Sequence, residues 1–300
     1  MSVIARNSGG GIDVELELER TDLLPGRLTA AVLRLASTKP REIRGAFATL
    51  VGTEHWQFHR TERDANGATH TRTVTDHAEL PRIPVQLLGP TTLAASERTV
   101  LPFELPVPPL GPPSVGATVC GVAWELEVKI DVPGFDPGLV VPITVHQPTA
   151  LLRAGVVSVG QFALWESADA EDDGYRAAIV LDPVPLPIGG PFAARVTLEA
   201  PAALDLQEIR AEIRVAAKAT VPSGLKEEIT VWTARIAGPG SLAAGSTTLE
   251  FAGDLPATPL PTASLPHGET DATFRIVLAR AWMPDHHLVR DVALATTTEI

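Results

Sequence analysis

A single cysteine, Cys120, rules out an internal disulfide, and in 300 residues there are only two methionines, one tyrosine and four lysines (Lys39, Lys129, Lys218, Lys226). The cysteine count does not exclude secretion, and nothing in the chain supports it. No run of 18 apolar residues occurs, so no helical membrane span is expected. Met1 to Gly10 shows no basic segment followed by an apolar one, so no signal peptide is expected and the cytoplasm is the expected location. Basic charge is also short: 24 Lys and Arg face 36 Asp and Glu, and the net charge of −12 argues against a nucleic-acid partner. General disorder needs low hydrophobicity and high charge, whereas 45% of these residues are hydrophobic and 20% charged, a balance that fits a soluble globular chain.

What is present is period-two alternation. In Asp13 to Glu19 apolar residues hold the even positions and acids the odd ones, as in a strand with one buried and one wet face. Trp124 to Asp131 and Ile209 to Val215 repeat the pattern. Weaker runs lie at 28–35, 43–51, 195–198, 229–236 and 274–278, separated by turn pairs such as Pro25-Gly26, Asn66-Gly67, Pro133-Gly134 and Gly189-Gly190. No helical pattern recurs between the strands, so an alternating α/β fold is not expected. The fold class read from this is all-β.

The halves echo each other. Gly89-Pro90-Thr91-Thr92-Leu93-Ala94-Ala95, Phe103, Leu105-Pro106 and Pro109-Leu110 return as Gly238-Pro239-Gly240-Ser241-Leu242-Ala243-Ala244, Phe251, Leu255-Pro256 and Pro259-Leu260. Trp124 similarly matches Phe274. Earlier positions are offset further, which predicts a longer loop in the first half, within Phe58 to Leu88. Two homologous immunoglobulin-like β-sandwich lobes in tandem follow, residues 1–147 and 148–300.

With the Pro25-Gly26 turn, Arg41 to Gly45, Trp56, the block Leu101 to Pro106 and Pro113 to Gly116 before the Trp124 strand, the chain resembles the arrestin-fold superfamily. That superfamily includes arrestins, arrestin-domain adaptors, the retromer cargo subunit and bacterial sporulation-control proteins. The resemblance runs from Ile12 to Leu294. It implies an N-like lobe, a C-like lobe and a bacterial-type adaptor.

Candidate chemistry is sparse. His55, His59, His70 and His77 crowd one segment, but His55 and His59 on a strand stand about 13 Å apart, too far to share a metal easily, and read as histidines of a long loop. His286-His287 point to opposite faces if extended. Ser114 lacks the glycine of a nucleophile elbow. Cys120 reads as a buried thiol. Glu166 to Gly174 lacks calcium-loop spacing and reads as a solvated acidic loop. Gly9-Gly10-Gly11 lacks both the lysine and the preceding strand of a phosphate loop. No catalytic residue, cofactor or metal is therefore expected. Trp165, beside the acidic loop, and Trp232, on the polar phase of its strand, are candidate partner anchors. His70 and His77 join them on the polar excursion Arg60 to His77, where a loop would carry specificity.

The expected function is a non-enzymatic adaptor or scaffold that binds protein partners through sheet edges, concave faces or loops, with homo-oligomers open to it. The alternatives are a small-ligand or metal-binding protein with a site between lobes, or a structural or sporulation-stress protein that self-assembles through free edges.

Overall fold

In a computed structural model, residues 2–149, 152, 168–172 and 174–296 are described. The first strands are β1 (Val3–Gly9), β2 (Ile12–Leu18), β3 (Asp22–Leu23), β4 (Leu28–Ser37) and β5 (Arg41–Ile43), leading into a long β6 (Gly45–Arg63). Then come β7 (Thr69–Glu79), β8 (Ile83–Leu88), β9 (Thr91–Leu93), β10 (Arg98–Pro106), β11 (Val115–Gly116), β12 (Cys120–Asp131) and β13 (Gly138–Val145). One sheet runs β1-β2-β4-β10 and another β3-β13-β12-β6-β7, with β8 on β6 and β11 on β12; β5 pairs with β9.

The later strands are β14 (Ala168–Asp172), β15 (Tyr175–Asp182), β16 (Leu186–Pro187), β17 (Pro191–Ala200), β18 (Leu204–Leu206), β19 (Glu208–Ala219) and β20 (Lys226–Ala237). They close with β21 (Gly240–Leu242), β22 (Gly245–Asp254), β23 (Ala263–Ser264), β24 (Gly268–Ala279), β25 (His286–Val292) and β26 (Leu294–Ala295). Here one sheet runs β14-β15-β17-β22 and another β20-β19-β24, with β23 and β25 on β24; β18 pairs with β21 and β16 with β26. The molecule is all-β with several sheets, and among the described residues no helix is long and apolar enough to cross a membrane.

Packing divides the chain into two compact units that are discontinuous in sequence. One comprises Met1–His55, Asp76–Ser114 and Val122–His146; the other comprises Trp56–Thr75, Val115–Gly121 and Gln147–Ile300. In the first, the alternation of β2 places Ile12, Val14, Leu16 and Leu18 in the core, together with Leu33, Leu35, Leu50, Leu126 and Ile130. Each such side chain contributes about 1.5–3 kcal/mol by leaving water. Trp124 is buried and its indole N–H donates to Pro112 O at 3.2 Å. A Cβ on Gly52 would stand 2.9 Å from the Trp124 ring, so glycine makes room for it.

In the second unit Ile179, Val196, Ile213, Phe274, Ile276 and Leu278 are wholly or almost wholly buried. Its two larger sheets meet through aromatic rings: Trp232 of β20 lies edge-on to Phe192 of β17 (5.0 Å) and parallel to Phe251 of β22, which stacks on Phe274 of β24. Trp56 stacks on His267 at 3.9 Å. Around it, Gln57 N–H donates to Val119 O, Leu225 N–H donates to Gln57 O, and the Glu227 carboxylate accepts the amides of Thr118 and Val119.

Three expectations are corrected. The stretch predicted as a long loop within Phe58 to Leu88 is mostly a β-hairpin of β6 and β7, because its threonines and valine favour extended backbone and Gly67 (φ +82) supplies the turn. The predicted acidic loop contains β14, paired with β15 so that Asp169 opposes Ala178 and Glu171 opposes Arg176. Ala168 and Ala170 alternate there with acids, and Gly174 (φ +80) makes the turn. Gly9 to Gly11 likewise follows a strand, β1, and turns it into β2.

Candidate interaction surfaces

The β6–β7 hairpin keeps one register along its length. Leu80 N–H donates to Gly52 O, Thr61 and Thr71 hydroxyls meet at 3.2 Å, and Asp64 N–H donates to Ala68 O. At the turn the Asp64 carboxylate accepts the amides of Asn66 and Ala68, both at 2.9 Å, and lies 3.2 Å from His70 Nε2. The Ala68 amide first, and then His70, hold its carboxyl below its ordinary pKa. Glu62 bridges Arg60 (3.1 Å) and Arg72 (3.0 Å). His70 and His77 are both exposed; His77 faces His55 across the hairpin, ring centres 6.3 Å apart. The structure thus puts both histidines on one ribbon, as strand residues.

Trp232 is half-buried and belongs to the aromatic row of its own unit. Trp165 lies outside the described residues. Trp282, which sequence reasoning did not single out as an anchor, is wholly exposed beside an exposed Met283. It sits between β24 and β25 with φ +64, a left-handed backbone that costs a non-glycine residue about 1–2 kcal/mol. The turn is pinned by Arg280, whose backbone N–H donates to the Asp285 carboxylate (3.1 Å) and whose guanidinium donates to Pro284 O (2.7 Å). The signal was available in Ala281-Trp282-Met283-Pro284, which follows the end of an alternating strand.

The other candidates serve the framework. Ser114 Oγ accepts the Val145 amide at 2.9 Å while Ser114 N–H donates to Val145 O at 2.8 Å. Cys120 is fully buried with Sγ 3.7 Å from Glu269 O. His286 is buried against Tyr175, ring centres 4.4 Å apart, and His287 is exposed. His55 and His59 both lie on β6, and among the described residues no group of three or more His, Cys, Asp or Glu could hold a metal.

Among the described residues an extended ion-pair network runs across β19, β20 and β24. Glu212 is buried between Arg210 (2.6 Å) and Arg214 (2.6 Å), which also hold Glu208 and Glu228. Arg275 closes the network on Glu228 at 2.8 Å. Burial pushes Glu212 up, and the hydrogen bonds from Arg210 and Arg214 outweigh it, leaving the carboxyl below its ordinary pKa. Two Arg–Glu–Arg motifs side by side make a rigid, satisfied surface rather than a reactive one. No protein-family model matches the chain, and no curated protein matches it either.

Proposed function

We propose that the chain is a non-enzymatic, arrestin-like adaptor of two homologous β-sandwich lobes that binds protein partners. The observation that carries the reading is Trp282, a large apolar side chain displayed on a pinned, left-handed turn next to Met283. Holding tryptophan fully in water forgoes its burial energy and adds backbone strain, and such a residue is the kind that anchors an interface.

The strand pairings support the doubled architecture. β1-β2-β4-β10 has its counterpart in β14-β15-β17-β22, and β5–β9 in β18–β21. The order β13-β12-β6-β8 likewise corresponds to β25-β24-β19-β20, and the parallel pair β3–β13 to β16–β26. Ser114 and Cys120, the nearest things to nucleophiles in the sequence, are engaged in hydrogen bonding and close packing, which favours recognition over catalysis.

The test is capture from native lysate by the wild-type chain and by Trp282→Ser. Specific proteins held by the wild type and lost with the variant, at unchanged circular dichroism, support the adaptor. Recovery of the chain alone, or capture indifferent to Trp282, sinks it.

A further inference from the structure

We propose that a second copy of this chain pairs with the open edge of β7, antiparallel and two-fold symmetric about Val74. β7 ends its sheet, and among the described residues no strand pairs with its outer side. Leu80 and Ala68 spend their backbone groups on β6. Alternation along the strand then has the even-numbered residues facing β6 and Thr69, Thr71, Thr73, Thr75 and His77 turning their N–H and C=O groups outward. Every one of these five is exposed, so the ribbon offers an unpaired ladder flanked by β-branched side chains.

The sequence of this edge is self-complementary in one register. With Val74 on the two-fold axis, Val74 meets Val74 of the second copy. Arg72 then faces Asp76 twice, and Thr73 faces Thr75 twice. Outward-facing Thr73 and Thr75 fall opposite each other, which is what an antiparallel ladder requires of its hydrogen-bonded pairs. Arg72 and Asp76 fall at the intervening positions, where side chains approach most closely and opposite charges add to pairing. Symmetry makes the contact isologous and closed, giving a dimer rather than a fibre. One strand pair buries little area by the standard of stable complexes, so the dimer is weak, with a dissociation constant on the order of tens of micromolar.

Sedimentation velocity across a concentration series tests this. Thr73→Pro removes an outward amide while leaving the β6 ladder intact, a substitution an edge strand tolerates. It is expected to raise the dissociation constant at least about ten-fold with unchanged thermal melting. Arg72→Asp alone and Asp76→Arg alone each set like charges opposite each other and are expected to be monomeric. Mixed in equal amounts, they restore opposite charges at both contacts and are expected to associate as the wild type does. A wild-type chain that stays monomeric at about 1 mM, far above that expected constant, overturns the proposal. So does a dimer indifferent to Thr73→Pro, or a mixture of the two charge variants that fails to associate. None of these outcomes bears on capture through Trp282.

Discussion

Burial makes a charged residue depend on its neighbours. Glu212 has almost no contact with water and depends on Arg210 and Arg214. Glu212→Gln keeps the shape but leaves two guanidiniums short of an anion. It is expected to cost about 1–3 kcal/mol in urea unfolding. Asp271 is the opposite case: burial first, then Glu269 and Asp291, raise its carboxyl above its ordinary pKa. A raised carboxyl favours the fold while protonated and penalises it once pH climbs through the folded value. Asp271→Asn should therefore raise the urea midpoint at pH 7, and the gain should vanish near pH 3. An Asn variant less stable than wild type at pH 7 would refute this reading of the site.

At the scale of elements, legibility followed the alternation of apolar with charged residues. β2 and the Trp124 part of β12 could be read directly, because each apolar side chain in them goes to the core and each acid or lysine goes toward water. β7 could not, since nearly all its residues are exposed and the threonines of one face alternate with His70, Arg72 and Asp76 on the other, leaving no apolar period. β14 hid because alanine alternating with acid looks polar throughout. Trp232 was read from the phase of its strand as facing out. A register shift between Ile213 and Arg214 on the neighbouring strand changes the β20 pairing near Trp232, and that ring ends on Phe192 and Phe251. Gly253 of β22 makes the space for it: a Cβ there would lie 2.6 Å from the Trp232 ring and 2.9 Å from Phe192. Gly253→Ala is expected to cost about 1–3 kcal/mol by overpacking, measured as a lowered urea midpoint with a shifted tryptophan emission.

Across the whole molecule, charge sets the response to acid. Among the described residues Glu15, Asp22, Asp64, Glu79, Asp136, Glu212 and Glu228 all sit below their ordinary pKa values. Hydrogen bonds from arginine dominate for Glu15, Asp22, Glu79 and Glu228. Depressed carboxyls stabilise the fold above their unfolded pKa and lose that contribution as pH falls through the folded one. The urea midpoint is thus expected to be level near neutrality and to drop between about pH 5 and pH 2. A midpoint that holds constant to pH 2 would contradict the network. The all-β class was legible because apolar and polar residues alternate between frequent turn pairs. The discontinuity of the packing units was not, since no local pattern says that Trp56–Thr75 and Val115–Gly121 pack with the later residues.

That discontinuity limits how such a gene can be cut. A clone of residues 148–300 would lack the tryptophan that covers His267 and the cysteine that fills the space beside Gly268. It is expected to give an insoluble or molten product by near-ultraviolet circular dichroism, with order returning when residues 56–75 and 115–121 are supplied by the full chain. The later unit is therefore inherited whole only when residues 56–75 and 115–121 travel with it, and a recombination event near residue 148 would sever it from part of its own core.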